Sequence, residues 1–290
     1  MPRRSVLFSP ADQPALMQKA PGSGADTVVF DLEDAVAPGR KAEARESVNG
    51  VLTDPKFGPE CEVCLRVNPT PNVADEDIAV ALSGNPRIDS VMVPKADSAA
   101  SVREMDELLD EHGYDLPLIA LCESAAGVLH AEEIAATPAV DAVAFGAEDL
   151  SADIGATRTE SGDEVSHARQ HVVLAASAAR IDAIDTVFTD IEATERLAEE
   201  TRFAGQLGYD GKMAIHPAQV SVINEAFTPD SDEVEWAERV LEARDEADAE
   251  GRGVFRVDDE MIDAPLIARA ERIMERHRAT ADRSAESDSS

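Results

Sequence analysis

Glu123 closes the apolar run LPLIALCES, and Asp149 lies in AVDAVAFGAEDL, the next such run along the chain. Two hard oxygen ligands from neighbouring strands can hold Mg²⁺ and leave several positions to water. A keto or hydroxy acid can replace those waters by chelation, and the cation then polarises its C–O group as a Lewis acid. Glu148 is the local competitor of Asp149; strand alternation would send its side chain the other way. Arg66 ends LRVN, where its planar fork suits a carboxylate or a thioester oxygen developing enolate charge. Asp31, Glu33 and Asp34 crowd three carboxylates into the end of VVFDLEDAV. Bare charge beside an apolar run requires a partner. Arg66 can neutralise Asp31 or Glu33 and be aimed by them in return. Lys95, after VMVP, is a second cation for such a task. His216 in AIHPAQ is open between ligand, proton donor and helix cap, since Pro217 favours a helix start.

These residues need a frame that brings strand ends together. Eight short β-branched runs alternate with helical stretches: SVLFS, TVVFDLED, CEVCLRVN, SVMVPKA, LPLIALCES, AVDAVAFGAEDL, DTVFTD and GKMAIHP. They are mostly apolar rather than strictly alternating, as parallel strands covered on both faces are. Eight such units predict a (β/α)8 barrel, whose chemistry sits at the C-terminal rim of the strands. A doubly wound open sheet is the competing architecture, but no Gly-rich dinucleotide loop follows any run. The expected organisation is a barrel over 1–228, a C-terminal helical extension over 229–278 and a small, polar, disordered tail over 279–290. Cys61 and Cys64 share one strand without a second pair, and read as buried thiols rather than zinc ligands.

Acidic residues number 59 against 26 basic ones, a formal net charge of -33. That repels nucleic acids and anionic membranes as partners. No apolar run is long enough to span a bilayer, and MPRRSVLFSP lacks a secretion pattern, so a cytoplasmic location is expected. Dense acidic surface over an ordinary core suits a high-salt cytoplasm such as that of a halophilic archaeon, where screening weakens self-repulsion.

The ordered set RRSVLFSPAD, VVFDLEDAVAPGRKAEAR, LRVN, VMVPK, LCESAAGV, AFGAEDLSADIG, DTVFTDI, LGYDGKMAIHPAQV and VFRVDDEMIDAPLIARA resembles the HpcH/HpaI aldolase superfamily. Within it, the likeness is to the citrate lyase beta subunit and malyl-CoA lyase group. That resemblance implies a barrel with Glu123 and Asp149 as Mg²⁺ ligands (Mn²⁺ as a substitute) that also contact substrate, and Arg66 as the arginine contacting substrate and enolate. It places Asp31, Glu33 and Asp34, with Lys95 and His216, in support. It makes Asp263 of MIDAP an acid–base group carried by a C-terminal lid over a neighbouring subunit, in a homotrimer or homohexamer. DDEMID departs from relatives that carry a glycine before MID. The implied reaction is reversible cleavage of L-malyl-CoA to acetyl-CoA and glyoxylate, and of β-methylmalyl-CoA to propionyl-CoA and glyoxylate, with coenzyme A as part of the substrate. Citramalyl-CoA or citryl-group cleavage, malyl-CoA thioester hydrolysis and a non-catalytic scaffold are the alternatives.

Overall fold

The computed structural model describes residues 2–84, 86–249 and 254–287. Strands and helices alternate as β1 (Ser5–Pro10), α1 (Pro14–Lys19), β2 (Thr27–Asp31), α2 (Lys41–Leu52), β3 (Glu62–Arg66), α3 (Pro71–Ala81), β4 (Ser90–Val93) and α4 (Ala99–Glu111). They continue as β5 (Leu118–Cys122), α5 (Ala125–Leu129), α6 (Ala131–Ala135), β6 (Val140–Phe145), α7 (Ala147–Asp153), α8 (Ser166–Ala179), β7 (Asp182–Asp185), α9 (Thr194–Leu207), β8 (Gly211–Ala214) and α10 (Pro217–Phe227). Local chemistry sets several helix starts: Pro71 and Pro217 occupy first turns, and the Ser98 and Ser124 hydroxyls accept N–H groups of α4 and α5.

The eight strands form a closed parallel barrel in sequence order, with β1 pairing both β2 and β8. This is the (β/α)8 architecture expected from the alternation. Val6, Val29, Cys64, Met92, Ile119, Leu121, Ala142, Ala144, Ile184 and Met213 meet inside it. Val28, Phe30, Val63 and Leu65, one position out of phase, are equally buried beneath the helices. Both faces are therefore covered, which explains the mostly apolar strands. Cys61, Cys64 and Cys122 are buried free thiols, and desolvation pushes the Cys64 and Cys122 thiols up to about 12.

Charge is also buried at the two ends of the strands, for different purposes. At the N-terminal end Arg3 pairs with Glu62 at 2.7 Å and reaches Asp141 and Asp182, while Glu62 accepts the Thr27 and Ser90 hydroxyls. Behind β7 and β8, Asp185 is held by Lys212 at 2.6 Å and Arg169 at 2.7 Å, all beneath the helix layer. Burial would raise the Asp185 carboxyl, but the two cations outweigh it and hold it below its ordinary value. These clusters brace the barrel; breaking one by removing a single partner would leave an uncompensated buried charge.

The seventh strand differs from the expectation. DTVFTD contributes only Asp185 to β7, and 186–190 form a loop. Pairing with β6 and β8 ends at Ile184 and Asp185, while Val187 packs on the barrel core and Phe188 is buried, so loop burial mimicked a strand pattern. The compact barrel unit spans Arg3–Asn224, so the division falls within α10 rather than after 228.

The segment from Glu225 forms its own unit. It contains α11 (Ser231–Ala249), the antiparallel pair β9 (Phe255–Val257) and β10 (Glu260–Ile262), and α12 (Ala264–Ser287). Val240, Phe255, Ile262, Ala270 and Ile273 share its core. Asp258 and Asp259 turn the hairpin with φ of 49° and 66°. Aspartate tolerates this left-handed geometry, so DDEMID turns here with no glycine at either position. The expected disordered tail over 279–290 is corrected in part: α12 continues through Ser287, in a stretch of Ala, Arg and Glu helix formers. Residues 288–290 lie outside the described residues.

Candidate active site

Strand period builds the site from the barrel core. Two positions beyond inward-facing Val29, Cys64, Leu121 and Ala144 come Asp31, Arg66, Glu123 and Gly146. Each therefore faces the barrel axis at its C-terminal rim. They line a cavity of about 390 Å³, together with Asp149, Glu148 and an apolar wall including Phe8, Leu121 and Met213.

Arg66 is buried and fully engaged on one edge. Its Nε and Nη2 donate to the two oxygens of Asp31 at 2.7 and 2.6 Å, and its guanidinium carbon stands 4.9 Å from the Phe8 ring centroid. Its Nη1 lies 3.0 Å from Glu33 Oε2, an oxygen that accepts no hydrogen bond among the described residues. So Arg66 neutralises Asp31 and Glu33 together. Burial alone would lower its pKa; Asp31, Glu33 and Asp34 more than reverse this and lock it as a cation. Asp31 also accepts the Glu33 and Ala35 N–H groups, which folds the acidic loop back on the strand.

Lys95 ties that loop to Glu123. Its ammonium donates to Glu33 Oε1, and its own backbone N–H donates to Glu123 Oε1 at 2.9 Å from a left-handed conformation, φ 50°. Lys41, at the start of α2, donates to the carbonyls of Leu32 (2.9 Å) and Glu33 (3.0 Å) and to Asn68 Oδ1. Asn68 donates in turn to Asp77, which Arg45 holds at 2.7 Å. Asn68, Lys41, Asp77 and Gly146 are not among the residues that the strand-end charges single out. Inward period marks Gly146; Lys41 and Asp77 carry no local signal, because their partners come from other turns of the chain.

Asp149 reaches the site by a different route from the one expected. Glu148 and Asp149 lie in the first turn of α7, not in β6. The strand stops at Phe145, and Thr186 Oγ1 accepts the Ala147 N–H at 3.0 Å, which fixes the helix start. Glu148 is not sent away by strand alternation: it lines the same cavity, and Arg158 holds its carboxylate at 2.9 Å. His216 takes the capping alternative: it is exposed, and its Nδ1 accepts the Ala218 N–H at 3.2 Å at the start of α10.

The cations are distributed selectively. Of the carboxylates lining the cavity, Asp31 pairs with Arg66, Glu148 pairs with Arg158, and half-exposed Asp34 lies 3.9 Å from both Arg66 and Lys95. Glu123 and Asp149 form no ion pair among the described residues. Burial first, then the charges of Asp149 and Glu33, push the Glu123 carboxyl up to about 8. Two carboxyl groups left without an ion pair among the described residues, one of them strongly raised, fit a hard divalent ion, whose charge would hold both ionised. Among the described residues no three His, Cys, Asp or Glu side chains converge as a ligand set, so two carboxylates leave most coordination positions to water or substrate.

Gly146 is what lets Glu123 occupy its place. A Cβ there would stand 2.5 Å from Glu123 Cβ and 2.8 Å from Glu123 Oε2. Gly146→Ala is therefore expected to displace Glu123, weakening divalent-ion binding about tenfold or more and destabilising the fold by about 1–3 kcal/mol. Mn²⁺ titration with thermal unfolding checks this, and wild-type affinity would show that the close approach does not position Glu123.

Comparison with known proteins agrees with the barrel fold. The HpcH/HpaI aldolase/citrate lyase family model matches residues 4–217, and a model described as a C–C bond lyase of the TIM-barrel fold matches 163–280. The chain is 34% identical to the mitochondrial citramalyl-CoA lyase of Mus musculus, over 94% of this chain and 86% of that one. It is 33% identical to (3S)-malyl-CoA thioesterase of Cereibacter sphaeroides, over 97% and 96%. The crystal structure of CitE from Mycobacterium tuberculosis, in complex with magnesium, acetoacetate and coenzyme A, superposes with a TM-score of 0.79 at 36% identity, covering 95% of this chain and 98% of that one. With its barrel, rim carboxylates and near full-length likeness, the chain belongs to the HpcH/HpaI aldolase/citrate lyase family of carbon–carbon bond lyases.

Proposed function

We propose that this protein reversibly cleaves L-malyl-CoA to acetyl-CoA and glyoxylate, and β-methylmalyl-CoA to propionyl-CoA and glyoxylate, with Mg²⁺ held by Glu123 and Asp149. The observation that carries this reading is the pair of rim carboxylates, without an ion pair among the described residues, beside a buried, cavity-lining arginine. Bound there, Mg²⁺ supplies Lewis-acid polarisation of a chelated hydroxy acid, and Mn²⁺ is an acceptable substitute. Arg66 is held by Asp31 and Glu33 so that N–H groups not used by Asp31 remain for the thioester oxygen as it gains enolate charge. The apolar wall of Phe8, Leu121 and Met213 limits water near the enolate carbon. Asp263, delivered by a neighbouring copy in a homotrimer or homohexamer, protonates that carbon in cleavage and takes the proton in condensation. A cytoplasmic setting of high salt accords with the net charge of -33; no described helix is long and apolar enough to cross a membrane.

The mouse relative's name favours a second reading, citramalyl-CoA cleavage. Citramalyl-CoA carries a methyl group where malyl-CoA carries hydrogen, and one such group in a pocket changes selectivity by about 10–200-fold. The test is a panel of malyl-, β-methylmalyl-, citramalyl- and citryl-CoA with Mg²⁺, in molar KCl and in dilute buffer, with products resolved by mass. Glyoxylate with acetyl-CoA from malyl-CoA, at the highest kcat/KM of the panel, is the expected result. Malate with free coenzyme A would make the protein a thioesterase. Preference for citramalyl- or citryl-CoA would reassign the substrate, and no turnover of any member would leave a scaffold.

A further inference from the structure

We infer that Arg158 sets the ligand count of this site: it withholds Glu148 from the Glu123–Asp149 pair and so keeps the site at two carboxylates. The inference rests on the metal reading above. Glu148 is adjacent to Asp149 in the first turn of α7 and lines the same cavity. Among the described residues, no side chain of its own helix bonds its carboxylate. Its restraint comes from the loop after α7, where Arg158 Nε donates to Glu148 Oε1 at 2.9 Å.

That loop is itself clasped. Arg158 Nη1 donates to Glu164 Oε1, and Glu164 also accepts the Thr159 N–H at 3.2 Å and its hydroxyl at 2.6 Å. Glu164 sits in the short 3-10 turn Asp163–Val165 that leads into α8. Arg158 is thus fixed between two carboxylates, with the second anchored outside the cavity. The cation is aimed at the one lining carboxylate that neither Arg66 nor Lys95 approaches and that is not required as a ligand.

The physical consequence concerns charge count. A third carboxylate on a divalent ion strengthens ion binding. It also occupies a position that a chelating hydroxy acid needs, and adds negative charge facing an anionic substrate. Holding Glu148 back exchanges ion affinity for room and for Lewis acidity.

Mn²⁺ titration of the full chain without substrate, followed by electron paramagnetic resonance, tests this on wild type, Arg158→Gln, Glu148→Gln and the double variant. Arg158→Gln is expected to tighten Mn²⁺ binding about tenfold. The double variant should return to wild-type affinity, and Glu148→Gln alone should stay within about twofold of it. A brace without this role would leave affinity unchanged or weaken it on loss of Arg158, and either result overturns the inference. A tenfold loss in Glu148→Gln also overturns it, because Glu148 would then already be a ligand. If Arg158→Gln fails to fold by circular dichroism, Glu148→Gln decides alone: retained affinity supports the inference and lost affinity ends it. Absence of Mn²⁺ binding by wild type would reject the metal reading, and this inference with it; binding by wild type that Arg158→Gln does not tighten rejects the inference alone.

Discussion

Glu123→Gln and Asp149→Asn are each expected to lower turnover by about 100-fold or more, because each keeps the side-chain shape but removes an anionic oxygen from a two-carboxylate site. With no third acidic or histidine ligand converging among the described residues, neither loss has a local replacement. Divalent-ion affinity should fall in parallel, and EDTA should abolish wild-type activity until Mg²⁺ or Mn²⁺ is returned. The fold should survive. In metal-free protein Glu123 is a buried carboxyl raised to about 8 by desolvation and by Asp149 and Glu33, so its amide removes an unfavourable charge. Metal-free Glu123→Gln should therefore melt no lower than metal-free wild type at pH 9. Full activity in metal-stripped wild type would show that these carboxylates serve another purpose.

Asp263→Asn is expected to reduce cleavage and acetyl-CoA methyl-proton exchange by about 10²–10⁴-fold, the range for loss of a general acid–base group. Asp263 directly precedes α12, and its carbonyl accepts the Leu266 and Ile267 N–H groups at 3.1 and 3.0 Å. It therefore stands at the cap position, where asparagine serves as well as aspartate. Stability should change little, and Mg²⁺ affinity should stay at the wild-type level. A purely capping role predicts near-wild-type turnover instead, so one substitution separates the two. Mixing Asp263→Asn chains with Glu123→Gln chains extends the test to assembly. If the residue acts in a neighbour's site, some mixed oligomers combine an intact Glu123 with an intact Asp263, and activity returns. Proven subunit exchange without recovered activity would rule out a shared site.

The barrel was legible because its physics is local and repeated. Strands covered on both faces are mostly apolar, with the few buried charges paired, so eight such runs separated by helical stretches had few other ways to pack. The rim was legible for the same reason: Asp31, Arg66 and Glu123 stand out as charges ending apolar runs, and burial obliges them to find partners or a ligand. Other features depended on what the chain meets in space. Val187 and Phe188 look like strand residues but lie in a loop, partly buried and buried respectively, since the pairing partners of β7 run out at Asp185. His216 has the chemistry of a ligand, yet its ring nitrogen accepts a backbone N–H. Gly146 matters only because Glu123, from another strand, lies against it. Above all, Glu148 and Asp149 are adjacent carboxylates that sequence alone distinguishes only by an assumed strand. Tertiary structure divides them by supplying Arg158 to one and, among the described residues, no ion pair to the other. The sequence by itself determined the kinds of charged groups and the end of the barrel they occupy. Which carboxylate is neutralised, and which is left to hold a cation, was decided only by the partners that folding brings within a few ångströms, because Coulomb interactions act through space and not along the chain.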